Sequence, residues 1–303
     1  MPLVQTPPNS PMSDRMTSTD PVWLDRMYNN RARVPESAEH LARWTRDSAD
    51  ARATTPGICD LRYGPTPSET LDVFAGPSAD APVLFFIHGG WWRSLDKSDH
   101  SFVAPPFVAR GVCVVLPNYA LCPGTEAAPV TIPDIALQMV RALAWTWRHV
   151  AEHGGDPSRI TVAGHSAGGH LAAMLLACDW QAVAPDLPVD LVRNALSISG
   201  VHDLREIRHV PFLADSLRLT ERDAQRASPA LWPAPKRGTL YSVAGADESE
   251  AFHAQNAAIR EAWGPKTVPV CELLPGLNHF SIVEALADPA HALHQRAAAL
   301  LDA

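Results

Sequence analysis

The sequence lacks the features that mark several specialised classes of protein, and each absence removes a reading. No C-x-x-C pair occurs among its five cysteines (Cys59, Cys113, Cys122, Cys178, Cys271), which are scattered and odd in number, so neither a disulfide framework nor a metal site is expected. Four of them lie in or beside apolar segments and are expected to be buried thiols. No window approaches about 18 uninterrupted apolar residues, and no basic N-terminal segment leads into an apolar core. A membrane partner is therefore not expected, and a cytoplasmic location is. No basic stripe exists either: 25 basic and 33 acidic residues, net charge -8, are spread along the chain, which argues against nucleic acid as a partner. No internal repeat is visible.

What the chain has is apolar material in an alternating order. Its 303 residues are 46% hydrophobic and 19% charged, enough for a large core. Residues 1–20 are rich in Pro, Ser and Thr without hydrophobic period and read as a disordered tail; residues 21–303 read as a single domain. Helical patterns run from Pro21 to Tyr28 and from Pro35 to Ala53. A hairpin (Cys59 to Tyr63, Leu71 to Phe74) precedes two continuous apolar strands, Pro82 to Ile87 and Val112 to Leu116, with a crossover helix expected over Lys97 to Arg110. The longest helix is expected from Pro133 to His153. Further strands are expected at Ile160 to Ala163, Ala195 to Ser199, Gly238 to Val243 and Val268 to Leu274. Two C-terminal helices follow, and residues 201–235 read as a cap-like insertion. The alternation implies an α/β protein with a mostly parallel sheet covered on both faces.

Gly164-His165-Ser166-Ala167-Gly168 spells G-x-S-x-G between a β-branched run and an Ala/Leu-rich helical one. A serine at such a strand-to-helix turn is forced into a strained backbone, so the residues two either side must be small. The helix behind it aims its first N–H groups at the place where an oxyanion forms.

A serine hydroxyl needs a base and an orienting acid, which in a sheet of this kind follow later strands in the order Ser, acid, His. His279, just past the last strand, meets the requirement for the base. Asp247 and Glu248, adjacent in the loop after the Tyr241 to Ala244 strand, both meet it for the acid. His88-Gly89-Gly90-Trp91-Trp92 closes a central strand, and its glycines let backbone N–H groups approach a substrate oxygen. Gly89, Gly90, Trp91 and Ala167 are the candidate oxyanion hole. His165 and His170 flank the serine but read as supporting groups, not metal ligands.

With those residues in view, the chain resembles the α/β-hydrolase superfamily, in its hormone-sensitive-lipase-like esterase branch, and is most similar to the kynurenine formamidase (arylformamidase) group. His88-Gly89-Gly90-Trp91-Trp92 and Gly164 to His170 carry the resemblance, with Tyr28-Asn29-Asn30-Arg31, Asn118 to Pro123 and Glu248 to Gln255. The last phrase favours Glu248 as the acid. The resemblance implies the α/β-hydrolase fold, no cofactor, and a small-molecule ester or amide as partner. Trp91, Trp92 and Tyr119 are candidate pocket residues, the tryptophans being equally readable as core. The leading expectation is a serine hydrolase that cleaves a small N-formyl arylamine through an acyl-enzyme. The alternatives are a general carboxylesterase for short-chain or aryl esters and, in another class, a noncatalytic ligand-binding protein on a hydrolase fold. Self-association into a homodimer is left open.

Overall fold

The computed structural model describes residues 18–302. Most of the expected N-terminal tail (residues 1–17) lies outside the described residues; Ser18 donates its N–H to Glu206 at 2.9 Å, and Asp20 caps the first helix, Pro21–Tyr28.

Eight strands form one sheet: β1 Gly57–Arg62, β2 Thr70–Phe74, β3 Ala81–Ile87, β4 Cys113–Pro117, β5 Gly155–His165, β6 Asn194–Ile198, β7 Thr239–Gly245 and β8 Val270–Leu274. Their order is β1-β2-β4-β3-β5-β6-β7-β8; β2 pairs antiparallel with both β1 and β4, and every other neighbouring pair is parallel. The expected hairpin is therefore the sheet edge, and the two apolar runs are central strands. The period-2 geometry of a strand explains why those runs are continuous. In β3, Val83, Phe85 and Ile87 face one apolar cluster, which holds Met139, Leu171, Phe252 and Ile259. Leu84 and Phe86 face the other, with Trp44, Phe107, Val283 and Leu300. Helices Ile132–His149, Ala167–Leu176 and Glu250–Thr267 thus cover one face, and Ser37–Thr54, Ser281–Leu286 and Ala292–Asp302 the other.

Three local expectations differ. Lys97 to Arg110 is not one helix but two 3-10 turns (Lys97–Asp99, Ser101–Val103) and the short helix Ala104–Val108. Pro105 and Pro106 lack the N–H that a helix interior needs, so a helix can only begin there. The long helix begins at a Thr131/Asp134 capping box and ends at His149; a 3-10 turn, Val150–His153, carries the chain to Gly154, whose φ of 85° stops it. Of the cysteines only Cys113 and Cys122 are buried; Cys59, Cys178 and Cys271 are half-buried, because Cys59 and Cys271 lie on the two edge strands, β1 and β8, and Cys178 just past helix Ala167–Leu176. Residues 201–235 fold between β6 and β7 as short helices, Pro211–Leu217 and Glu221–Arg226, between two 3-10 turns.

A buried ion network ties the sheet edge down. The Asp72 side chain in β2 is wholly buried and accepts from Lys97 Nζ at 2.7 Å, from the Asp60 N–H at 2.8 Å, and from Arg52. Lys97 also reaches Asp60 at 2.6 Å. Removing one partner of a buried pair leaves an uncompensated charge. Lys97→Met is expected to lower unfolding free energy by about 3 kcal/mol in urea titrations; a change under about 0.5 kcal/mol would show that Arg52 alone satisfies Asp72.

Candidate active site

The carboxyl ends of β3, β5, β6, β7 and β8 converge, and each carries one part of the site. After β5, Ser166 stands at φ 56° and ψ −115°, held by its N–H on Ile198 O at 2.8 Å. The turn is close-packed backbone: a Cβ on Gly164 would lie 2.3 Å from Gly168 O, and one on Gly168 would lie 2.0 Å from Ile87 O. Only glycine fits either place. Helix Ala167–Leu176 starts on the next residue and points the positive end of its dipole at the serine.

After β3 the chain makes a left-handed run, with φ of 104° at Gly90, 53° at Trp91 and 55° at Trp92. The Gly90 carbonyl is turned back to accept from Arg93 N, Ser94 N and Ser94 Oγ, at 3.1, 3.0 and 2.9 Å. Among the described residues, the N–H groups of Gly90, Trp91 and Ala167 make no hydrogen bond. Gly89 lies against Ser166, where an added Cβ would be 3.2 Å from Ser166 Cβ. The loop is braced from behind. Tyr119 stacks on His88 (ring centroids 4.2 Å apart) and its hydroxyl donates to His88 O and Gly89 O, at 3.0 and 3.1 Å.

His279 follows β8 and is 6% exposed. Its Nδ1 lies 2.7 Å from Glu248 Oε2, and Glu248 Oε1 accepts from the Gly245 N–H at 2.7 Å and from Ser199 Oγ at 2.5 Å. Of the two adjacent acids, then, Glu248 is the one on the imidazole, its side chain fully buried, while Asp247 is exposed and is tied in only by its backbone N–H on Leu277 O. With Nδ1–H donated to a carboxylate, Nε2 is the basic nitrogen. His165 ties His279 to the elbow: its Nε2–H donates to His279 O at 2.9 Å and the two rings lie 4.7 Å apart. No hydrogen bond joins Ser166 to His279 among the described residues; catalytic contacts of this kind commonly tighten only around substrate.

His165 and His170 do not converge. His170 donates Nε2–H to Ala227 O at 2.6 Å, and burial pulls its pKa down to about 4; burial likewise holds His165 far below the usual imidazole range. Both are neutral struts at neutral pH.

The three candidate pocket residues separate. Trp91 is half-buried and meets Tyr28, Phe252 and Phe212 at ring distances of 6.0, 6.0 and 6.3 Å. Phe252 in turn packs on His279 at 4.6 Å. Trp92 is wholly buried, edge-on to His170 at 5.0 Å, and the faces of Tyr119 are likewise taken up by packing. These two therefore back the loop; Trp91 and Phe212 are the half-buried rings here, and the buried Phe252 and Tyr28 pack behind Trp91. Sequence reasoning missed Phe252 as a neighbour of the base and Ser199 as a partner of the acid. The one signal for Ser199 was a serine-glycine pair at the carboxyl end of a predicted strand.

Strand order, elbow and acid-base pair together define a hydrolase of the α/β-hydrolase superfamily. The family model BD-FAE matches residues 71–184. Kynurenine formamidase of Salmo salar is 30% identical over 84% of this chain and 86% of its own length. The chain belongs to the kynurenine formamidase family. Esterase LipQ of Mycobacterium tuberculosis is 30% identical over 73% of this chain and 56% of its own. A crystal structure from Silicibacter sp., named for a thioesterase, superposes with a TM-score of 0.79 at 29% identity, covering 92% of this chain and 99% of its own.

The geometry separates the two acids experimentally. Glu248→Gln is expected to cut kcat roughly 10³- to 10⁴-fold, as loss of the orienting carboxylate does elsewhere, and Asp247→Asn to change it less than about twofold. Steady-state kinetics on any accepted ester decides it; the reverse ranking would move the acid to Asp247.

Proposed function

We propose that this chain hydrolyses the formamide bond of a small N-formyl arylamine by acyl transfer through Ser166. The observation that carries the reading is the Glu248–His279 pair, fixed by His165 beside a strained serine and faced by unpaired backbone N–H groups. The half-buried rings of Trp91 and Phe212 support an aryl leaving group, and the name borne by the Salmo salar relative supports a formamide.

In this mechanism Ser166 Oγ attacks the formyl carbon while His279 Nε2 takes its proton. Glu248 stabilises the resulting imidazolium, and the oxyanion meets the N–H groups of Gly90, Trp91 and Ala167, each donor contributing about 3 kcal/mol in the transition state. Gly89 stays free of side chain so that the loop can lie on the nucleophile. Collapse breaks the C–N bond; the His279 proton goes to the amine, and Ser166 keeps the formyl group as an ester. Water, deprotonated by His279, attacks that ester, and formate leaves. Residues 21–303 serve as a single unit in which 201–235 cap the mouth, Phe212 lying over Trp91.

A second reading, a carboxylesterase for short-chain or aryl esters, uses the same groups and is favoured by the likeness to LipQ. Measuring kcat/KM on N-formylkynurenine, phenyl acetate and p-nitrophenyl acetate separates the two. Formamidase predicts that the formamide is the best of the three, whereas an ester preference by orders of magnitude selects the esterase. Ser166→Ala is expected to lower all three rates by roughly 10⁴-fold or more; near-normal turnover there would remove Ser166 from the chemistry.

A further inference from the structure

Only one oxygen of Glu248 touches His279. The other, Oε1, is held by the Gly245 N–H and by the hydroxyl of Ser199 at 2.5 Å. Ser199 is 1% exposed and stands just past β6, one strand over from the elbow strand. Its backbone sits at φ 52°, a conformation that side chains rarely adopt, and its N–H is clamped on Val243 O at 2.7 Å. The hydroxyl makes no other hydrogen bond among the described residues.

We propose that Ser199 is a positioning residue of the hydrolytic site, acting through Glu248: its hydroxyl fixes Oε1, and so keeps Oε2 aligned on His279 Nδ1. The inference rests on Ser166, His279 and Glu248 being the hydrolytic machinery. Its physical basis is the burial of the carboxylate. A glutamate has one more rotatable bond than an aspartate, and with its side chain out of water it is oriented only by what donates to it. Taking away one donor frees rotation about the Cγ–Cδ bond. It also leaves the negative charge of the carboxylate less satisfied, which raises the proton affinity of Glu248 and of the neutral His279 imidazole beside it. The freed rotation lowers kcat, and the raised proton affinity moves the acid limb of kcat/KM to higher pH. The other titratable groups around the pair are His165, neutral and buried; His253, whose Nε2–H donates to Gly245 O at 3.1 Å; and Asp247, exposed. None of them contacts Ser199.

The test is Ser199→Gly, because glycine accepts φ 52° without strain, with Ser199→Ala as the second variant and Ser166→Ala as reference. Both Ser199 variants are expected to lose roughly 10- to 100-fold in kcat, the worth of one charge-assisted hydrogen bond, with KM within about twofold and the acid limb shifted upward. Should glycine destabilise the fold, the alanine variant gives the same reading. Unchanged kcat and an unchanged acid limb, or a loss of kcat with the acid limb unmoved, would overturn the proposal. Activity surviving in Ser166→Ala would instead overturn the reading beneath it.

Discussion

Three stretches of backbone meet at the elbow with no room for a single side-chain carbon between them. Gly164 presses on the carbonyl of Gly168, and Gly168 on the carbonyl of Ile87 at the end of β3. That contact fixes how helix Ala167–Leu176 leaves the sheet, and hence the positive φ of Ser166. It also sets the oxyanion loop against the serine, since His88 to Trp92 continue from the same Ile87. The nucleophile and the groups that face it are thus placed by one steric constraint, before any polar interaction is counted.

Electrostatics then follow from dryness. The Glu248 side chain is out of water, and Gly245 N–H, Ser199 Oγ and His279 Nδ1 all donate to it. Burial holds the pKa values of His165 and His170 down, while His279 lies against the Glu248 carboxylate. His165 couples the two halves mechanically: it belongs to the elbow yet hydrogen-bonds the carbonyl of the base. A residue within the G-x-S-x-G turn therefore determines where His279 stands.

Much of this was legible in the sequence because it is periodic or punctuated. The apolar runs of β3 and β4, the glycines about Ser166 and the loop holding His279 each state their local geometry in a few residues. What was not legible depends on distant packing or on a single dihedral. Asp247 and Glu248 are neighbours, and only the turn that bonds Glu248 N–H to Gly245 O, and Asp247 N–H to Leu277 O, decides which carboxylate turns inward. Ser199 is an ordinary serine until β6 and β7 pair and bring Glu248, 49 positions away, to its hydroxyl. Trp91 and Trp92 share one backbone conformation and one residue type, yet one faces the mouth and the other the core. The helix expected from Lys97 to Arg110 was lost to two prolines whose effect is local and could have been read.

The central claim is that Ser166 is an activated nucleophile, and covalent trapping tests it without reference to any substrate. Treatment with a fluorophosphonate, followed by intact-mass and peptide analysis, is predicted to give one adduct per chain, located on Ser166 and absent from a folded Ser166→Ala variant. A folded wild-type chain that takes up no label would contradict the account and leave a ligand-binding role for this fold.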